Sequence, residues 1–262
     1  PLLPKPGQSA YETGDFAQTT NYDYFGSRRD GGMQEFLRVP VANLFRVPDH
    51  VDLLHAACTE PAAVALHGVR KMHVTAGDTG LVLGAGPIGN MTAQWLRIHG
   101  CREVIITDID ERKLQIARDM GFTALNSKET DVVEEVHNRT DGEGAQRVVE
   151  ACGQPITFLH ATQAAARFGE VVFMGNIHGE FKIGEKDFSG ILRRELTIYG
   201  TWNSKVVPRP TDDWSTVLAY LDRELQIAPL VTDTPSLEDG PDIFKSIHER
   251  QNFHNKVIFK LQ

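Results

Sequence analysis

Gly84, Gly86 and Gly89, with Asp108 further on, have the types and spacing to hold a dinucleotide. A glycine in the first position permits a tight turn. In the second it lets backbone approach a pyrophosphate, and in the third it lets the following helix pack on the preceding strand. Pro87 and Ile88 open that helix, whose first N–H groups and positive dipole end face an anion. Asp108 lies ~20 residues after the loop, where a carboxylate reaches both ribose hydroxyls of NAD and repels the 2′-phosphate of NADP. Arg112 stands close enough in sequence to soften that choice. The plain alternative is a glycine turn that only packs.

A second acid, Glu60, directly precedes Pro61. A carboxylate there can cap a helix that starts at the proline. It can equally be an oxygen ligand of a metal ion. The residues alone leave both open.

These groups need positioning elements. Gly80–Leu83 reads as a short apolar strand. Ile88, Met91, Trp95 and Ile98 then recur on one helical face, and Gly100 closes that helix. Val104–Thr107 is a strand ending on Asp108, and Glu111–Met120 is a helix ending before Gly121. The alternation continues with strand 146–150, helix 156–167, strand 170–174, a helix around 189–194 and strand 195–199. Strand, helix, strand in sequence predicts an α/β fold with a Rossmann-type, doubly wound parallel sheet. Met174, Gly175 and Thr201 stand at the C-terminal ends of predicted strands, where open sheets bind ligands, and are expected at the nicotinamide end. Trp202 and Asn203 come next and are candidates to line a substrate site. Residues 1–50 read as loops and short strands, with Glu35–Val39 alternating like a strand. Helical segments follow to about Lys71. Pro208-Arg209-Pro210 is a linker signal, and helices 214–223 and 239–249 precede a terminal strand at 256–260.

Composition narrows the function classes. The 262 residues carry 27 Lys and Arg against 35 Asp and Glu, a net charge of −8. With no basic block, nucleic acid and anionic membrane surfaces are poor partners. No apolar run reaches the ~20 residues of a bilayer span. Three scattered cysteines, Cys58, Cys101 and Cys152, make no disulfide framework and suit a reducing, cytoplasmic compartment.

Several motifs carry a resemblance. Thr59-Glu60-Pro61 with Val64, Leu66 and His67, followed by Gly84-Ala85-Gly86-Pro87-Ile88-Gly89, is similar to the zinc-dependent medium-chain dehydrogenases. The run from Tyr22 to Gly32, Ile191–Thr197 and Gly200-Thr201-Trp202 resemble their polyol dehydrogenase branch, acting on galactitol-1-phosphate-like or sorbitol-like substrates. The resemblance covers essentially the whole chain. It implies a GroES-like, β-rich catalytic domain, incomplete here, over 1–65 and 203–262, and a dinucleotide-binding domain over 66–202. It also implies that about 80 residues precede Pro1, holding a zinc-ligating cysteine and an adjacent His-Glu.

Under the resemblance Glu60 completes the sphere of one catalytic zinc, and the protein is an NAD-linked oxidoreductase of polyols or polyol phosphates. Arg28 and Arg29 could meet a substrate phosphate. Relatives hold a second, structural zinc with four cysteines. Here Lys5, Gln8, Tyr11 and Thr19 take those places, so that ion is expected to be absent. A homodimer or homotetramer is expected, with strand 195–199 near the seam. Two rivals remain. One is a zinc-free quinone or enone reductase, against which Glu60 and Asp108 both count. The other is a non-catalytic nucleotide-binding protein, which gains weight if the natural chain begins at Pro1.

Overall fold

The computed structural model describes residues 2–3, 7, 9–20 and 22–261. Two compact units emerge: Pro1–Val64 with Asn203–Gln262, and Ala65–Trp202.

In the first unit, β1 (Leu2–Leu3) pairs antiparallel with β2 (Asp23–Tyr24), and α1 (Ser9–Glu12) lies between them in sequence. The expected strand at Glu35–Val39 is absent. Alternation alone does not make a strand without a partner ladder, and Phe36 is 87% exposed. A short α2 (Leu53–Ala56) is capped by the Asp52 carboxylate, which accepts from the Leu54 N–H. Next, α3 (Thr59–Val69) begins two residues before Pro61, where the sequence had placed its start. A first-turn proline lacks only an N–H that would be orphaned anyway, so it sits at the third residue without breaking the helix. Ala62, Ala63, Ala65, Leu66 and Val69 bury the inner face of α3 completely.

The second unit is the doubly wound sheet. Its elements are β3 (Thr79–Leu83), α4 (Pro87–His99), β4 (Glu103–Asp108), α5 (Glu111–Asp119), β5 (Thr123–Asn126), α6 (Val132–Arg139), β6 (Ala145–Glu150), α7 (Pro155–Ala164), β7 (Ala165–Phe173), α8 (Glu185–Arg193) and β8 (Thr197–Gly200). Strand order is β5-β4-β3-β6-β7-β8, all parallel. The order reverses between β3 and β6, which creates a crevice at their carboxyl ends. β3 is buried along its whole length, as an apolar central strand must be. Gly100 ends α4 at φ +119, a left-handed cap.

Several boundaries differ from the sequence reading. Residues 165–167 leave the expected helix and join β7, turning at Phe168 with φ +58. β8 starts at Thr197, because Glu195 adopts φ +51 and its N–H still bonds back to Leu192. β5 and α6 had no counterpart in the sequence reading.

The chain then returns to the first unit. It forms α9 (Asp213–Tyr220), β9 (Val231–Asp233), α10 (Gly240–His248) and β10 (Lys256–Val257), with β9 and β10 parallel. The terminal strand is shorter than expected, with one further bridge between Ser236 and Lys260.

Candidate functional site

The glycine loop leaves β3 and enters α4. Gly84 has φ +109, the conformation that favours glycine. A Cβ on Gly89 would stand 1.8 Å from the Gly84 carbonyl oxygen, so only glycine lets α4 seat there. A Cβ on Gly86 would meet nothing within 4 Å. The loop is therefore closed on its protein side and open at its middle glycine. Gly86 is the N-cap of α4 and Pro87 its first residue, so the free N–H end of the helix lies there.

Asp108 ends β4 beside this loop. Its Oδ2 accepts the Ala85 N–H at 2.9 Å, and its Oδ1 accepts those of Ile109 (2.7 Å) and Asp110 (3.0 Å). Lys113 Nζ stands 3.9 Å from Oδ2. Arg112 is engaged by Asp110 instead, through Nη2–Oδ2 at 2.7 Å and Nε–Oδ1 at 2.9 Å. Those hydrogen bonds hold the Asp110 carboxyl below its usual range.

The sequence reading missed Asn90. This residue is fully buried, and its Nδ2 donates to the Ala85 (2.6 Å) and Gly86 (3.2 Å) carbonyls, tying the loop to the first turn of α4. Its position directly after the last glycine of the signature was the available signal.

At the other end of the crevice, the Met174 and Gly175 N–H groups both donate to the Glu150 carbonyl, at 2.9 and 3.0 Å. The sequence placed their backbone at a ligand, but these two donors are already engaged. The Thr201 N–H donates to Phe173, while Thr201 Oγ1 is buried without a partner. Asn90 Oδ1 and Glu150 Oε2 are likewise buried and unpartnered. Glu150 ends β6, Thr201 follows β8, and Asn90 lies in the first turn of α4. An open loop and a helix N-terminus at the carboxyl ends of the strands fit a bound dinucleotide. Trp202 follows, 52% exposed.

In the first unit, Glu60 sits in the first turn of α3. The Tyr24 hydroxyl donates to its Oε1 at 2.6 Å, and the Asn203 side chain hydrogen-bonds that hydroxyl. Burial first, then the Glu60 carboxylate, push the Tyr24 phenol far above its usual range. Asn203 has φ +61, and its Oδ1 accepts the Ser204 N–H at 3.0 Å. The structure thus joins Glu60 and Asn203 through Tyr24, which the sequence reading left unassigned. The cavity next to Asn203, walled by Phe45, Ser204 and Trp214, holds ≈ 20 Å³, room for about one water and not for a polyol.

Among the described residues, no group of three or more His, Cys, Asp or Glu could hold a metal ion. One carboxylate does not hold zinc by itself, so these residues do not make up a zinc site. Arg29 is paired with Asp23 at 2.5 Å, and Arg28 stacks on Tyr22 at 4.3 Å, so the loop engages both arginines itself. Of the four positions expected to lack structural zinc, Lys5 and Gln8 lie outside the described residues. Tyr11 packs on Phe16, and the Thr19 hydroxyl donates to the Phe16 carbonyl at 2.7 Å.

Residues 87–223 match the family model for zinc-binding dehydrogenases. The chain is 30% identical over 260 residues to galactitol 1-phosphate 5-dehydrogenase of Escherichia coli K12, spanning 98% of this chain and 75% of that protein. The crystal structure of galactitol-1-phosphate dehydrogenase from Escherichia coli superimposes with a TM-score of 0.90 at 29% identity, over 99% of this chain and 75% of that one. A candidate zinc-binding dehydrogenase of Sinorhizobium meliloti 1021, solved with NADP bound, gives 0.86 at 28% identity, over 100% of this chain and 75% of that one. This chain belongs to the zinc-binding dehydrogenases, a family of oxidoreductases.

Proposed function

We propose that the protein transfers hydride between NAD and a polyol or polyol phosphate of the galactitol-1-phosphate or sorbitol kind. The observation that carries this is Asp108, whose carboxylate is pinned to the glycine loop through Ala85 at 2.9 Å. A fixed anion beside the glycine loop supports a role for Asp108 at the ribose hydroxyls. With Arg112 held by Asp110, the site favours NAD over NADP. When bound, the nicotinamide supplies the hydride chemistry. The chain's own residues bind and orient: Gly84, Gly86, Pro87, Ile88 and Gly89 at the pyrophosphate, Asp108 at the ribose, and Met174, Gly175 and Thr201 at the nicotinamide end.

In this reading, 66–202 is the dinucleotide-binding domain, and 1–65 with 203–262 belongs to the GroES-like catalytic domain. Glu60 is the residue this chain would bring to one catalytic zinc. Its remaining ligands would have to come from polypeptide outside the described residues, so no step is derived through the metal. Tyr24 holds Glu60 in place, and Asn203 and Trp202 are substrate-lining candidates. The rest of the reading is a cytoplasmic homodimer or homotetramer, joined near β8, whose Ile198 is 36% exposed at the sheet edge.

The test is a panel of polyols and polyol phosphates with NAD or NADP, run on the full-length gene product with and without a chelator. Turnover of a polyol with NAD that the chelator abolishes supports the reading. Chelator-resistant reduction of an enone or quinone with NADPH would replace it with the zinc-free alternative.

A further inference from the structure

Glu150 closes β6 with a carboxylate that the reading above does not use. The residue is fully buried. Its Oε1 accepts from the N–H groups of Cys152 (2.9 Å) and Gly153 (2.7 Å) and from the Thr157 hydroxyl (2.6 Å). Its Oε2 is sealed from solvent and has no partner. Three donors converge on Oε1, a set that suits a negatively charged carboxylate, and none reaches Oε2.

The anion has a definite place. A Cβ on Gly175 would stand 2.5 Å from Oε2, so the uncompensated oxygen lies directly behind the Gly175 backbone. The Glu150 carbonyl fixes that backbone by accepting from Met174 and Gly175. Gly153, which donates to Oε1, crowds the same spot, its nitrogen 2.3 Å from the same Cβ position. The loops after β6 and β7 are thus interlocked around one buried negative charge.

We propose that Glu150 sets the charge of the cofactor cleft, favouring the oxidised, positively charged nicotinamide over the reduced, neutral ring. This rests on the reading above that the ring lies against Met174 and Gly175. Glu150 touches neither ring nor substrate, so it is not a catalytic residue and acts through its field. A sealed carboxylate escapes the screening that weakens a surface charge, so its field reaches across one layer of backbone. All its hydrogen bonds fall on Oε1, so the charge on the Gly175 side is left unneutralised. The effect draws the bound couple toward oxidised cofactor.

Equilibrium binding of NAD, NADH and ADP-ribose to the wild-type protein and to Glu150→Gln tests the proposal. Glutamine keeps the shape and an acceptor oxygen while removing the charge. ADP-ribose, which has no nicotinamide, should bind within about twofold of wild type. NAD affinity relative to NADH should fall by at least about threefold. An unchanged NAD-to-NADH ratio, or a parallel loss for all three ligands, overturns the proposal and leaves Glu150 a packing role. If Glu150→Gln fails to fold, Glu150→Asp draws the same charge back from Gly175 and should shift the ratio in the same sense. No shift there overturns the proposal too. Thr157→Val removes a donor and keeps the charge, so a changed ratio in that variant counts against it. Wild-type protein that binds both dinucleotides, with a ratio that Glu150→Gln leaves unchanged, overturns this inference alone, whereas binding of ADP-ribose and neither dinucleotide refutes the cofactor reading as well. Wild-type protein that binds none of the three refutes the cofactor reading, and the inference falls with it.

Discussion

The Tyr24 hydroxyl donates to Glu60 Oε1 at 2.6 Å, across 36 residues of sequence. The pairing depends on β2 holding Tyr24 and on the first turn of α3 holding Glu60. Glu60 is thereby more than a free acid at a helix start, because a second element fixes its orientation.

Replacing Glu60 distinguishes a cap from a functional carboxylate. A pure cap would tolerate serine with at most ~1–2 kcal/mol of stability change. In the full-length enzyme, Glu60→Ser should leave folding and NAD binding nearly intact and lower turnover or zinc retention at least about tenfold. Steady-state kinetics with metal analysis reads this directly. Wild-type values for both would return Glu60 to a capping role.

Gly86 and Gly89 should separate binding from folding. Gly86→Ala adds a methyl into open space and should leave the melting temperature within a few degrees of wild type. It should still cost dinucleotide affinity, because the ligand's approach is blocked. Gly89→Ala drives a methyl into the Gly84 carbonyl, 1.8 Å away, and should destabilise the fold by roughly 1–3 kcal/mol or more. Urea unfolding beside NADH titration checks both. Equal stability of the two variants would contradict the packing argument.

Asp108→Ala should weaken NAD by roughly 1–3 kcal/mol and narrow the gap to NADP, since ribose hydroxyls lose a charged acceptor. The same substitution strips an acceptor from the Ala85 N–H, so part of the loss comes from the loop itself. Asp108→Asn, which can still accept from Ala85, should recover loop stability without recovering full selectivity. Wild-type protein that binds NADP at least as tightly as NAD would remove Asp108 from this role.

Glu170 predicts a pH dependence of stability away from the site. Burial raises its pKa. Hydrogen bonds from the His73 side chain and backbone and from Tyr199, with the Arg147 charge, outweigh burial and lower it below the usual carboxylate value. A folded pKa below the unfolded one stabilises the fold above the unfolded pKa. That contribution is lost as pH falls through the folded pKa. The melting-temperature gap between wild type and Glu170→Gln should therefore be full near pH 7 and shrink in acid below the ordinary glutamate value. A gap that grows on acidification would show the sign to be wrong.

Much of the sheet was legible because its signals are local. Apolar runs, the glycine signature and terminal glycines marked β3, α4, β4 and α5 within a residue or two. β5 escaped because Thr123–Asn126 is a four-residue edge strand with one buried side chain, too short for a period to show. α6 carried a readable signal, Asp131, whose carboxylate caps the Val133 and Glu134 N–H groups, but its eight residues are mostly polar. The site was less legible. Gly84–Gly89 and Asp108 follow from chain-local geometry, whereas the Tyr24–Glu60–Asn203 cluster is assembled from three distant segments. Glu150 looks like a polar strand end, and only the loops folded over it make it a buried anion.

The two bonds from Asn90 to the Ala85 and Gly86 carbonyls also bear on how quickly a ligand is captured. A glycine-rich turn is otherwise among the most freely rotating segments of a chain, and ordering it at the moment of encounter would cost entropy. Here the ordering is done during folding, so under the proposed function an incoming phosphate would meet a loop already held in place. Association should then show a single fast phase with no slow rearrangement after it. Loosening that amide, as in Asn90→Ala, would move the ordering cost from folding to capture.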